Sequence, residues 1–270
     1  MTTVFTVRGA TEALTGNMLS GVVGQLDTAN FSHVEIPYSA SLSVYSLGAD
    51  PFAPSGIDSV TEGVADLRSA VAALPAGATY AVLGYSLGAI VVTRWLAERG
   101  LDPHCLLVGC LANPARLSGN SHGAVSVGSG VCTHTQIGAP NPGDPGSDGT
   151  RVSGTRVVEI ANPADVITSC PEDSIIRFLP GPLLSFSFTN PDEELRQLIE
   201  SSLPQAEQLA LAGGVAWWDA LTQLPQAWNL IEGFFEGRHT TDYGLKLWKD
   251  AAGQAISGID LLAKAVTDWA

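Results

Sequence analysis

Two serines of this chain lie in a Gly-x-Ser-x-Gly pattern, which marks the nucleophile of many serine hydrolases. Ser86 belongs to Gly-Tyr-Ser-Leu-Gly and Ser121 to Gly-Asn-Ser-His-Gly. A serine nucleophile of this kind sits on a sharp turn between a strand and a helix, where flanking glycines let neighbouring backbone approach closely. The chain contains 29 glycines, so the pattern alone is a weak signal. The elements around each serine must decide between them.

Only Ser86 has the required surroundings. The apolar run "YAVLG" before it is typical of a buried strand, and a helical pattern follows it. The backbone N–H of Leu87 lies at the positive end of that helix, where it can face a developing oxyanion. No strand-like run precedes Ser121, and no helical pattern follows it. We therefore predict that Ser86 is the nucleophile and interpret the second pattern as a chance match.

A serine hydroxyl needs a general base, and the base needs an orienting acid. In an α/β-hydrolase the chain order is serine, then acid, then histidine. His239 follows Ser86 after a further predicted strand, and it lies on a turn in "EGRHTTDYG" ahead of the last predicted helix. We predict that His239 is the base. The other histidines downstream of Ser86 come before that strand.

The acid should lie on a loop after the carboxyl end of a strand. Asp165 meets this condition, because the run "VVEIA" ends shortly before it and the Asn162-Pro163 pair turns the chain out of the sheet. We favour Asp165 as the acid. The sequence leaves open Asp173 as a rival and, more weakly, Asp144 and Asp148, which precede the strand.

The segment after the first predicted strand is the expected source of the second oxyanion donor. It reads Gly9-Ala10-Thr11-Glu12, and we expect the N–H of Ala10 or Thr11 to serve with that of Leu87. Glu12 is expected to shape this loop.

The elements that must position these residues form an α/β fold. Strand-like runs alternate with helical periodicity, as in the three- and four-residue apolar spacing between Ile57 and Leu74. Such alternation predicts a central parallel sheet flanked by helices. We expect a single domain over residues 1–270, with a last helix from about Thr241 to the end.

A helical insertion is expected over residues 190–236, ahead of His239, where the pattern becomes helical and rich in aromatic residues. Trp217, Trp218 and Phe234 are candidates for a wall of an acyl-chain groove. The alternative is that these aromatic side chains form the core of a small helical subdomain.

Composition excludes several classes of partner. The formal net charge of −14 opposes binding to phosphate backbones, so we expect no nucleic-acid partner. The sequence has no run of 18 apolar residues, so we expect no transmembrane segment. Its first residues lack the basic and apolar stretches of a signal peptide, so we expect synthesis in the cytoplasm. We favour a monomer.

The four cysteines do not predict a disulfide framework. Cys105 and Cys110 lie in a predicted strand, where five residues span about 16 Å, too far for a bridge. Cys132 and Cys170 could pair, and the alternative is that both are buried thiols. None has metal-ligand spacing to a histidine, and no Gly-x-Gly-x-x-Gly follows the first strand, so we expect no metal and no cofactor.

Several motifs coincide: "RGATE" after the first strand, "GYSLGA", "ANPARLSGN", "NPADVIT" and "RHTTDY". Together they resemble the mycobacteriophage lysin B esterases, which are related to cutinases and to the PE-PPE-type serine hydrolases of actinobacteria. The resemblance covers nearly the whole chain. It implies a cutinase-like α/β-hydrolase that cleaves the ester joining mycolic acids to arabinogalactan, through an acyl-enzyme on Ser86. Such a protein, made in the host cytoplasm, would reach the outer envelope after the inner membrane is lysed.

The chain departs from this family at two places. Members often have Gly-Thr-Gly-Glu where this chain has Gly9-Ala10-Thr11-Glu12, and glutamine where it has Leu87. Oxyanion donors are backbone groups, so neither change affects the expected chemistry.

The alternatives for function are a general lipase, cutinase or polyester hydrolase acting on other lipid esters. An inactive hydrolase that only binds the envelope is disfavoured, because each catalytic position carries a competent residue.

Overall fold

The computed structural model describes residues 1–42, 54, 56–99, 102–117, 130–132, 151–152, 155–171, 174 and 234–270. The first strands and helices are β1 (Thr2–Val7), α1 (Ser20–Val23), β2 (Phe31–Glu35), α2 (Gly56–Ala72), β3 (Tyr80–Tyr85) and α3 (Leu87–Arg99). They are followed by β4 (Cys105–Leu111), β5 (Arg151–Val152), β6 (Thr155–Ile160), β7 (Trp248–Lys249), β8 (Ala255–Ile256) and α4 (Gly258–Trp269). Two short helical turns, Phe234–Arg238 and Thr241–Gly244, lie between β6 and β7.

One six-stranded sheet forms the centre of the fold, in the order β2-β1-β3-β4-β6-β5. Every neighbouring pair from β2 to β6 is parallel, and β5 adds an antiparallel edge to β6. The predicted parallel α/β sheet is therefore confirmed. Because β2 lies on one side of β1 and β3 on the other, the chain reverses its direction of progress between β1 and β3. Sheets of this type bind ligands beyond the carboxyl ends of the strands at such a point.

Helices cover both faces of the sheet. One apolar cluster joins α2 and α3 to alternate strand residues that include Val7, Tyr80 and Val82. The other joins α1 and α4 to the intervening residues, which include Ala81, Leu83 and Tyr85. Strands β1, β3, β4 and β6 are buried on both faces, which explains why they form continuous apolar runs in the sequence. No helix in the described ranges is both long and apolar enough to cross a bilayer.

The prediction of one last helix from about Thr241 was wrong at its start, because α4 begins at Gly258. A helical turn and the β7–β8 hairpin come before it. Gly253 has φ +78° in the turn of that hairpin, a conformation that interrupts a right-handed helix. The Ser257 hydroxyl then accepts a hydrogen bond from Asp260 N and caps α4.

Several predictions concern residues outside the described ranges. The insertion over 190–236 lies outside them except for its last three residues, and so do Trp217 and Trp218. Phe234 is described only as the first residue of a helical turn. Ser121, Asp144, Asp148 and Asp173 also lie outside. For Cys132 and Cys170, the structure shows buried thiols, like those of Cys105 and Cys110.

Candidate active site

Ser86 occupies the single position between the end of β3 and the start of α3. Its φ of +52° is left-handed, a conformation that costs an L-residue roughly 1–2 kcal/mol. Both flanking glycines are required by close contacts. A Cβ on Gly88 would lie 2.0 Å from Val7 O, and one on Gly84 would lie 2.7 Å from Ala89 Cα. The Gly-x-Ser-x-Gly pattern is therefore explained by a strained turn pressed against β1 and α3.

Backbone strain is concentrated at the edge of the sheet where Ser86 lies. Thr11, Ala40, Ser86 and Ala112 are the non-glycine residues with positive φ in the described ranges. They follow the carboxyl ends of β1, β2, β3 and β4 respectively. Parallel strands end at one edge of a sheet, and backbone strain of this kind clusters at active sites and ligand clamps. This edge is the candidate active site.

Three predicted residues meet at this edge in a hydrogen-bonded chain. Ser86 Oγ lies 2.8 Å from His239 Nε2, and His239 Nδ1 lies 2.8 Å from Asp165 Oδ2. Asp165 is fully buried and His239 is 5% exposed. A carboxylate only accepts, so the imidazole proton lies on Nδ1 and leaves Nε2 to accept from the serine hydroxyl. This tautomer is the one that general-base activation of a serine requires.

Asp165 is held by further donors from its own loop and from the segment after His239. Ile167 N donates to Oδ1 at 3.0 Å, and Thr168 Oγ1 donates to Oδ2 at 3.1 Å. Tyr243 OH donates to Oδ2 at 3.2 Å. These bonds fix the orientation of the carboxylate toward the imidazole.

Tyr243 and Asn162 join the acid loop to the histidine segment. Tyr243 OH accepts from Asn162 N at 3.0 Å while it donates to Asp165. The Asn162 side-chain amide donates to Arg238 O at 3.1 Å and to Asp242 Oδ2 at 3.0 Å. Burial raises the pKa of Tyr243 well above its usual value, so its hydroxyl remains a donor. The sequence interpretation missed the role of Tyr243, although "RHTTDY" places it four residues after the histidine.

Leu87 and Ala10 carry the N–H groups that suit an oxyanion. Leu87 is the first residue of α3, and the N–H groups of a first helical turn have no partner within the helix. Parallel pairing of Val7 with Gly84 brings the loop after β1 alongside the turn at Ser86. Within the part of the chain that the structure describes, neither the Leu87 N–H nor the Ala10 N–H donates to another group.

The expectation that Thr11 could supply an oxyanion donor is corrected by its hydrogen bond. Thr11 N donates to Ala40 O at 2.8 Å, so its N–H is already used. The left-handed φ of both residues, +60° and +52°, accompanies this contact between the loops after β1 and β2. Ala10 is therefore the remaining candidate from this loop.

Glu12 and Arg8 hold the loop of Ala10 in place. The Glu12 carboxylate accepts from Gly9 N at 2.7 Å and from Met18 N at 2.8 Å, which confirms that it shapes the loop. The buried Arg8 side chain donates to the carbonyls of Glu12, Ile36 and Tyr38, at 2.8, 3.2 and 2.5 Å. A loop fixed in this way can present its N–H without rearrangement during a reaction.

A metal or cofactor was not expected from the sequence. Among the described side chains, no group of three or more His, Cys, Asp and Glu is placed to hold a metal ion. The cofactor-free reaction stays a prediction.

Comparisons with known proteins give distant structural relatives. No protein-family model matches the sequence, and no curated protein matches it. The chain is similar to lysin B from mycobacteriophage D29, with 23% identity and a TM-score of 0.47 over 64% of this chain and 68% of that one. It is similar to a cutinase-like protein from Cryptococcus sp., with 18% identity and a TM-score of 0.43 over 63% and 79% of the two chains. It is also similar to an acetylxylan esterase, with 17% identity and a TM-score of 0.45 over 75% and 98%. At this identity the likeness concerns the fold alone.

Proposed function

We propose that this protein is a serine ester hydrolase that acts through an acyl-enzyme on Ser86. The observation that carries the proposal is the hydrogen-bonded order from Ser86 Oγ to His239 Nε2, and from His239 Nδ1 to Asp165. The Leu87 and Ala10 N–H groups complete the proposed catalytic groups, because acyl transfer needs donors aimed at a developing oxyanion.

In the first half of the reaction, Ser86 Oγ attacks the ester carbonyl carbon while His239 Nε2 takes the hydroxyl proton. The carbonyl oxygen becomes an oxyanion and accepts from Leu87 N and Ala10 N. The bond from carbon to the alcohol oxygen then breaks, and His239 gives its proton to the departing alcohol. Asp165 stabilises the imidazolium that exists between these two transfers.

In the second half, water replaces the alcohol. His239 Nε2 takes a proton from the water as its oxygen attacks the acyl carbon. The bond to Ser86 Oγ breaks, the carboxylic acid leaves, and the proton on His239 returns to Ser86. Each oxyanion donor in a site of this kind contributes on the order of a hundredfold in rate.

The proposed substrate is the ester between mycolic acids and arabinogalactan in the envelope of a mycobacterial or other actinobacterial host. The sequence motifs around Ala10, Ser86, Asp165 and His239, which resemble those of the lysin B esterases, support this assignment. In that setting the protein acts during phage lysis, on the outer envelope, after the inner membrane has been opened. Its partner is a lipid ester.

Hydrolysis assays test both the reaction, ester hydrolysis through Ser86, and the proposed mycolyl-arabinogalactan substrate. We expect release of mycolic acid from purified mycolyl-arabinogalactan and cleavage of a soluble p-nitrophenyl ester. Ser86→Ala should abolish both activities, whereas the matched control Ser121→Ala should retain them. Cleavage of the soluble ester, triacylglycerols or polyesters without release of mycolic acid would contradict the substrate and favour a general lipase or cutinase. Full activity of Ser86→Ala would overturn the reaction itself.

A further inference from the structure

Tyr85 is the last residue of β3 and directly precedes Ser86. It is 4% exposed and lies in the apolar cluster under α1 and α4. Its hydroxyl donates a hydrogen bond to His239 O at 2.9 Å. The Tyr85 and His239 rings lie nearly parallel, with centroids 6.0 Å apart and an interplanar angle of 25°. One side chain therefore contacts both the backbone and the ring of the proposed base.

The same ring also supports the loop of Ala10. A Cβ added to Gly9 would lie 2.6 Å from Tyr85 Cδ1 and 2.8 Å from Cε1, so the Gly9 backbone rests against the edge of the ring. Only a residue without a Cβ fits there. Ala10, which carries the candidate oxyanion N–H, is the next residue.

The hydroxyl of Tyr85 has the right character for this contact. Burial raises the pKa of Tyr85, with smaller contributions in the same direction from the negative charges of Glu12 and Asp165. The hydroxyl therefore keeps its proton and remains a donor to the His239 carbonyl. That carbonyl is buried, so losing the donor would leave it without this partner.

We propose that Tyr85 is a positioning residue that sets the place of His239 and of the Ala10 N–H relative to Ser86. This inference rests on the proposed function. His239 and the loop of Ala10 come from chain segments more than 220 residues apart. The Tyr85 side chain contacts both, and its backbone is bonded directly to Ser86. A displacement of about 1 Å between reacting groups can cost on the order of a hundredfold in rate. A rigid ring that contacts both groups limits such displacement.

Tyr85→Phe tests the hydroxyl, and Tyr80→Phe is its matched control. Tyr80 is the first residue of the same strand and is 2% exposed, and its hydroxyl donates a part-buried hydrogen bond to Asp102 at the opposite edge of the sheet. With a soluble ester, we expect Tyr85→Phe to lower kcat on the order of tenfold while KM changes less than about twofold. Tyr80→Phe should lower Tm but leave kcat within about twofold of the wild type.

Gly9→Ala and Tyr85→Val test the ring contact in a double-mutant cycle. Gly9→Ala alone should lower kcat, because the new methyl group collides with the ring. In the Tyr85→Val background the ring atoms are absent, so the same substitution should cost several-fold less. Such non-additivity is expected only of residues in contact. If Tyr85→Val folds poorly, the kcat of Gly9→Ala compared with that of Gly77→Ala still tests the loop. Gly77 lies at a surface turn with φ +80° and no neighbour within 4 Å, so its substitution strains the backbone away from the site.

The outcomes separate this inference from the proposed function. An active wild type with Tyr85→Phe at wild-type kcat would overturn the positioning role and leave the esterase assignment intact. Equal losses of kcat in Tyr85→Phe and Tyr80→Phe would also overturn it, because they would reflect general stability. A wild-type protein with no ester hydrolysis would overturn the proposed function, and the inference with it.

Discussion

Tyr243 OH donates to the same carboxylate oxygen of Asp165 that accepts from His239 Nδ1. The hydroxyl also accepts from Asn162 N, so it connects the loop of the acid to the segment that carries the base. Because the buried hydroxyl both donates and accepts a hydrogen bond, it holds the Asp165 carboxylate in position next to His239. This contact, which spans 78 residues of sequence, leads to the first prediction.

Tyr243→Phe should destabilise the fold and slow the reaction. The substitution keeps the ring that stacks on Trp248 but leaves the buried Asn162 N–H without its acceptor. We expect a loss of about 1–3 kcal/mol in the free energy of unfolding, measured by urea denaturation, and a several-fold lower kcat. An unchanged unfolding free energy together with an unchanged kcat would refute this role for the hydroxyl.

Asp165→Asn should nearly abolish activity without removing the fold. The amide can donate to His239 Nδ1, which stabilises the tautomer that carries the proton on Nε2 and cannot accept from Ser86. We expect kcat to fall on the order of 10³–10⁴-fold, with far-ultraviolet circular dichroism like that of the wild type. A folded Asp165→Asn protein with more than a tenth of wild-type kcat would rule out Asp165 as the orienting acid.

Glu12→Gln should make the loop that carries Ala10 less firmly held. A glutamine side chain has one acceptor oxygen, so it cannot serve both Gly9 N and Met18 N as the carboxylate does. We expect kcat for a soluble ester to fall on the order of tenfold, about 1.4 kcal/mol in the barrier. The matched control is Glu62→Gln, which alters a carboxylate that accepts from Ser39 N and should keep kcat. Equal kcat values for the two variants would argue against the loop contact.

Glu35→Gln should change the pH dependence of stability. Burial raises the pKa of Glu35 above its usual value of 4.5, although the Thr6 hydroxyl bond and Arg8 oppose this shift. The folded state therefore binds the proton more tightly than the unfolded chain, and the resulting stability is lost as pH rises through the folded pKa. A glutamine is neutral at every pH and keeps an acceptor for Thr6 Oγ1, which bonds Glu35 at 2.5 Å.

The difference in unfolding free energy between Glu35→Gln and the wild type, measured in urea at pH 4 and pH 7, checks this sign. We expect the unfolding free energy of the variant, relative to that of the wild type, to be higher at pH 7 than at pH 4. Because His33 lies 3.9 Å from Glu35 and its protonation is coupled to the charge there, the same comparison is made in a His33→Gln background. If the unfolding free energy of the variant relative to the wild type were instead lower at pH 7 than at pH 4, the folded state would prefer the charged carboxylate.

Local patterns were enough to predict the turn at Ser86, because a strand, two glycines and a helix lie within one continuous segment. His239 and Asp165 were predicted from chain order and from their positions after strands, and the structure brings both to Ser86. The parallel sheet was predictable because strands buried on both faces leave long apolar runs.

Contacts between distant segments could not be predicted in the same way. The Thr11 N–H was offered as an oxyanion donor because nothing in the sequence shows that Ala40 O accepts from it. The roles of Tyr85 and Tyr243 depend on partners 154 and 78 residues away. The start of the last helix was misplaced because the β7–β8 hairpin carries apolar residues that fit a helical spacing as well.

Reaction of the native protein with a fluorophosphonate, followed by peptide mapping of the adduct by mass spectrometry, tests the central claim most directly. Only a serine activated by a neighbouring base reacts quickly with such a probe. The hydrogen-bonded chain of Ser86, His239 and Asp165 predicts one adduct, on Ser86, that is lost in Ser86→Ala and strongly slowed in His239→Ala. An adduct on Ser121, or no adduct on the folded wild type, would contradict it.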